Sequence, residues 1–134
     1  DDGPEVRPES SRALSANPRA LRVMVRRSLF RHVDLLARQR YAALAALGTG
    51  LTESQSREAG EDYFAEYDHL GTDTAARGPA YLQLTQEPGE WSVTQILDDP
   101  DGDHDWRLSA TLDLEATDEA GEPVFSAMDL SPWQ

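Results

Sequence analysis

Apolar residues recur at three- and four-residue steps from Leu21 through Val25, Leu29, Val33 and Leu36 to Leu44 and Leu47, with one gap at Arg40. That period puts them on one face of a helix. Asn17-Pro18 supplies a capping side chain and a first-turn proline, and Gly48 and Gly50 supply a stop. With no Gly or Pro between, the pattern predicts one long helix over roughly 18–47. Thr52-x-x-Gln55 then has the form of a capping box, with Leu51 placed as its staple. It predicts a second helix over roughly 53–69, with Ala59, Tyr63, Phe64 and Tyr67 on one side and Gly60 as a weak point. Residues 71–79 read as loop.

Beyond residue 80 the period changes to two. Tyr81-Leu-Gln-Leu and Trp91-Ser-Val-Thr-Gln-Ile are short strands separated by the turn Glu87-Pro-Gly-Glu. Trp106 to Leu114 alternates cleanly: Trp106, Leu108, Leu112 and Leu114 should face the helices, with Arg107, Thr111 and Asp113 on the other side. Asp118 to Pro123 reads as a turn, and Val124 to Leu130 as a last strand. The fold class predicted is α+β, with two N-terminal helices packed on a four-stranded antiparallel meander. Residues 1–16 have no apolar period and read as a flexible arm, leaving 17–134 as a single domain. The absence of an initiating Met is what a chain cut from a longer protein, or processed, would show.

Charge sharpens this picture. The net charge of −13 is unevenly spread: residues 1–48 carry +4 and residues 49–134 carry −17. All twelve basic residues are Arg. The acidic part should repel a phosphate backbone, so any nucleic acid must be met by the first helix, through Arg19, Arg22, Arg26, Arg27 and Arg31. The competing reading makes those arginines an outer face that neutralises the acidic sheet or a partner. There is no run of about 18 apolar residues that would span a membrane. With no cysteine, disulfides, thiolate metal sites and Cys nucleophiles are excluded.

The segment between Trp91 and Trp106 holds the densest polar chemistry. Asp98, Asp99, Asp101, Asp103 and Asp105 could gather oxygen ligands for Ca²⁺ or Mg²⁺. A loop counted back from Gly102 starts at Leu97 and puts Leu108 at position twelve, where an EF-hand needs Glu. The expectation is an exposed, solvated turn, with no metal and no other cofactor. His104 reads as a surface residue at a strand entrance, and His32 and His69 carry no stronger case. A catalytic alternative would gather Tyr63, Asp68, His104 and Asp113 in a pocket, with Tyr41 and Tyr67 nearby, where burial raises a carboxyl pKa.

Several runs taken together carry a resemblance: Pro8 to Arg26, Leu29-Phe-Arg-His-Val-Asp-Leu, Tyr63-Phe-Ala-Glu-Tyr-Asp-His-Leu-Gly-Thr, Ala76-Arg-Gly-Pro-Ala, Gln95 to Trp106, and the Asp118-Glu-Ala-Gly turn. In order and spacing the chain resembles the uncharacterised C-terminal region of actinobacterial DEAD/DEAH-box RNA helicases. The likeness covers most of residues 8–124, and Ser126 to Trp133 depart from it. No phosphate-binding Gly-x-x-x-x-Gly-Lys loop is present, so ATPase chemistry is not carried over. The helix-then-meander order is also similar to the nuclear-transport-factor-2-like cone fold.

What the helicase resemblance implies is a cytoplasmic, non-catalytic accessory domain. It would dock on the helicase core or another protein, assist RNA binding through its first helix, and stay off membranes. A small cone-fold enzyme or ligand-binding domain is the alternative. A third reading is a dimerisation domain, in which the chain forms a homo-oligomer. A closed apolar interior would favour the first or third, and a deep pocket with converging carboxylate and Tyr or His the second.

Overall fold

The computed structural model describes residues 13–133. The order of elements is α1 (Pro18–Ala37), α2 (Tyr41–Ala45), α3 (Glu53–Glu66), β1 (Leu82–Glu87), β2 (Glu90–Ile96), β3 (Trp106–Asp113), α4 (Leu114–Ala120) and β4 (Phe125–Pro132). The four strands form one antiparallel meander in sequence order. The fold is α+β, as the periodicities predict. Of the expected arm, residues 1–12 lie outside the described residues. Leu14–Ala16 make a 3-10 turn, and the Ser15 N–H and hydroxyl both donate to the Asp118 carboxylate, at 2.8 and 2.6 Å. No described helix is long and apolar enough to cross a membrane.

The two helix starts expected from the sequence follow their signals. Asn17 Oδ1 accepts from the Ala20 N–H, and the Thr52–Gln55 capping box closes in both directions at 3.0 Å. The expected helix over 18–47 is instead two. Gln39 adopts φ +57°, its N–H donates to Leu36 O, and the Arg40 N–H donates to Leu35 O. That is a Schellman ending built on Gln where Gly is usual. The gap at Arg40 is the trace of this break. The stop lets Tyr41 and Leu44 turn back into the core.

A second correction concerns the end of β3. The strand stops at Asp113, whose Oδ1 accepts from the Ala116 N–H and caps α4. The residues expected to form the end of a strand and a turn form a helix instead, closed by Gly121 at φ +76°. Leu114 therefore opens a helix and does not continue the inward row of β3. The other predicted inward residues hold: Trp106, Leu108 and Leu112 are buried, while Arg107, Thr111 and Asp113 alternate on the opposite side and are half-buried.

A single cluster unites the stripe of α1 with α2, α3 and the inner face of the sheet. Val33, Leu36, Leu44, Leu51, Leu97, Leu108 and Leu130 meet at its centre with no room for a water molecule. Burying each such side chain contributes about 1.5–3 kcal/mol. Tyr63 lies fully buried between the Phe64, Tyr67 and Trp106 rings, their centroids 4.9–5.7 Å from its own.

Gly60 explains its own presence in α3. A Cβ there would lie 2.4 Å from the Tyr41 ring. Alanine normally gains about 1 kcal/mol over glycine in a helix, but overpacking costs about 1–3 kcal/mol. Gly60→Ala should therefore lower stability to urea by about 1 kcal/mol. In a Tyr41→Leu background the same change should stabilise. A gain in both backgrounds would show that the α2–α3 contact is looser than described.

Candidate functional site

Two regions bear chemistry, the acidic loop after β2 and the outward face of α1. The loop is organised from within. Asp99 turns inward and is 3% exposed. Its Oδ2 accepts from the N–H groups of Asp101 (3.1 Å) and Asp103 (2.9 Å), and its Oδ1 from that of His104 (2.7 Å). Gly102 and His104 take left-handed backbone to allow this. The expectation of a uniformly exposed turn fails here, because one aspartate is the loop's interior anchor. Burial alone would raise its pKa, but the backbone donors outweigh burial and hold the carboxyl below its usual range.

Tyrosines brace the same loop. The Tyr81 hydroxyl lies 3.3 Å from Asp98 Oδ1 and 3.1 Å from His104 Nε2. The Tyr67 hydroxyl faces Asp103 Oδ2 at 2.7 Å and Asp105 Oδ1 at 2.9 Å. Burial, then these two carboxylates, push the Tyr67 pKa well up. Asp103 and Asp105 also gather with Glu66 of α3, with one oxygen from each within 4.8 Å of the others. The five loop aspartates do not converge, but two of them meet a helix carboxylate that sequence spacing could not place.

The catalytic alternative is not assembled. The Tyr63 hydroxyl donates to His69 O at 2.9 Å, and its pKa is raised by burial and by the nearby loop carboxylates. Asp68 is exposed just past the end of α3. His104 pairs with Tyr81. Asp113 caps α4 seven residues along β3 from Trp106, a separation of roughly 23 Å at 3.3 Å per residue. Tyr63 and His104 thus flank one loop while Asp113 sits at the opposite end of the sheet.

The arginines of α1 stand apart from those elsewhere. Arg57 pairs with Glu53 and lies over Tyr41; Arg77 lies over Phe30, and Arg107 over Trp133. Among the described residues, Arg19, Arg22, Arg26, Arg27 and Arg31 make no salt bridge and no aromatic stack. Arg19, Arg27 and Arg31 are exposed at four-residue multiples, with Val23 (39% exposed) between; Arg22 and Arg26 are half-buried on the flank. Arg27 and Arg31 border an open groove of about 470 Å³ whose other walls include Ser28, Thr49 and Glu122.

At the base of this groove sits His32, 2% exposed. Its Nδ1 donates to Ser28 O at 2.7 Å, and its Nε2 lies 2.6 Å from Thr49 Oγ1. Burial and, to a lesser extent, Arg31 lower its pKa, against the opposing pull of the Ser28 carbonyl. Sequence reading passed over His32 and Thr49. A His on the margin of an apolar stripe gives no sign of which residue 17 positions later will meet it.

The family description "Domain of unknown function (DUF3516)" matches residues 2–130. The chain belongs to this family. No curated protein and no solved structure matches the DUF3516 chain.

Two acid-sensitive anchors follow from this geometry. His32 is held neutral in the fold but binds a proton near pH 6.5 once unfolded, so stability falls as pH drops below about 6.5. His32→Gln should remove most of the loss in melting temperature between about pH 7 and pH 5. Asp99 has its folded pKa depressed, so its contribution is present above about pH 4 and is lost as pH falls through the folded value. Asp99→Asn should flatten the acid limb below about pH 4 and cost about 1–3 kcal/mol at neutral pH. Unchanged pH profiles in both variants would contradict these roles.

Proposed function

We propose that this domain is a non-catalytic accessory module of an RNA helicase, of the kind its sequence resembles, and that it helps hold RNA through the arginine face of α1. The observation that carries the reading is the line of exposed arginines at Arg19, Arg27 and Arg31, which make no salt bridge among the described residues. In the same chain every arginine after residue 48 is already stacked on an aromatic ring. Arg19 to Arg27 spans about 12 Å and Arg27 to Arg31 about 6 Å along the helix. An extended phosphate backbone can lie along such a row.

The electrostatics set how the binding should behave. The +4 amino-terminal segment works against the −17 remainder. Net attraction therefore acts only within about one Debye length, roughly 8–10 Å. Contacts are to phosphates and carry little sequence preference. The interior closed around Val33, Leu36 and Leu108 leaves no cavity there for a substrate, and the Tyr63–Asp113 constellation is split between the ends of the sheet, which supports an interaction role over the cone-enzyme alternative.

Fluorescence anisotropy with a short single-stranded RNA tests this. Binding should be weak and should weaken with salt, with a log–log slope of about −2 for three phosphate contacts. The triple change Arg19→Gln, Arg27→Gln, Arg31→Gln should abolish it. Tight binding that ignores those changes would misplace the surface. No binding even at low salt would turn the same arginines toward docking on the helicase core.

A further inference from the structure

The last strand is an edge. Among the described residues β4 pairs only with β3, and its other side carries backbone N–H and C=O groups with no strand partner there. Natural edges are blunted by lysine, mid-strand proline or a covering element. Here β4 has no basic residue, and its one proline is its last residue, Pro132. Residues 49–50 close one end, where Gly50 lies against the Met128 backbone and Thr49 against Met128 Sδ. From there to Pro132 a groove of about 260 Å³ runs between β4 and α3.

The groove has an apolar floor and an acidic rim. Ala59, Trp106 and Leu130 are part of the floor. Glu58 and Asp62 of α3 form the rim, are exposed, and have no cation paired to them among the described residues. An unpaired strand edge beside such a floor suits an extended polypeptide added as a further strand, whose alternate side chains face the floor and the rim. The two carboxylates choose the charge of that segment. RNA and acidic peptides are repelled, and two copies of this chain docked through the groove would face like charge with like.

We propose that the α3–β4 groove binds an extended basic peptide as an added strand on β4, with Arg or Lys at the alternate positions that face α3 meeting Glu58 and Asp62. This surface is separate from the arginine face of α1, so each stands or falls alone.

The test uses a fluorescein-labelled, acetylated hexapeptide alternating arginine and valine, and its glutamate–valine counterpart. The basic peptide should bind the full chain and the acidic one should not. The pair Glu58→Lys, Asp62→Lys should weaken binding by about tenfold or more. The pair Glu115→Lys, Glu119→Lys on α4, with the same change in net charge, should leave it within about twofold. Amide exchange at Leu130, whose N–H points away from β3, should slow when the peptide is bound. Absence of binding, or equal weakening by both charge-reversed pairs, would overturn the proposal. A doubled mass in light scattering without peptide, with slowed exchange at the Leu130 amide, would assign the edge to a second copy and overturn it too.

Discussion

The constraint on which this structure depends is the burial of one stripe of α1 against one face of a single-layered sheet. Leu21, Val25, Leu29, Val33 and Leu36 are each no more than 2% exposed, and the inner row of β3 answers them with Leu108, Ala110 and Leu112. Each chain segment has only one face to give to this layer. On α1 the remaining face holds arginines, and on α3, the sheet and the loops the remaining positions hold most of the acids. Charge segregation along the sequence thus becomes segregation in space. It leaves a cationic helix on an otherwise acidic domain, which is the physical basis of both proposed surfaces.

The acidic loop shows how such a charge density is tolerated. Five aspartates within eight residues would repel one another in a purely solvated turn. Here one of them, Asp99, is taken inside and satisfied by three backbone donors, which fixes the loop. The hydroxyls of Tyr67 and Tyr81 meet three of the others. The close approach of Gly71 to Asp98, where a Cβ would lie 2.6 Å from Oδ2, ties the segment after α3 to the same loop. These contacts join the loop to the helical layer.

Elements whose signal is local were legible in the sequence: the Asn17 cap, the Thr52–Gln55 box, the Pro88-Gly89 hairpin with Gly89 at φ +83°, and the alternation of β3. The break after Ala37 was not, because a left-handed Gln at position 39 is set by the fold and not by residue type. Helix α4 was hidden because its seven residues are too few to show a period; Asp113 and Gly121 were the usable caps. For the sites, the arginine row follows directly from helical spacing. The pairing of His32 with Thr49, and the meeting of Glu66 with Asp103 and Asp105, join residues 17 to 39 positions apart. No one-dimensional pattern encodes such pairs.

The outward face of α1 is the surface proposed above to meet RNA. The most direct test is a map of amide chemical-shift changes, by nitrogen-15 NMR, as a short single-stranded RNA is added to the full chain at low salt. Changes should concentrate over residues 19–31 and at Thr49, with the 98–105 loop and the β4 edge silent. Changes centred on the sheet's outer face or on the acidic loop, with α1 unmoved, would contradict it.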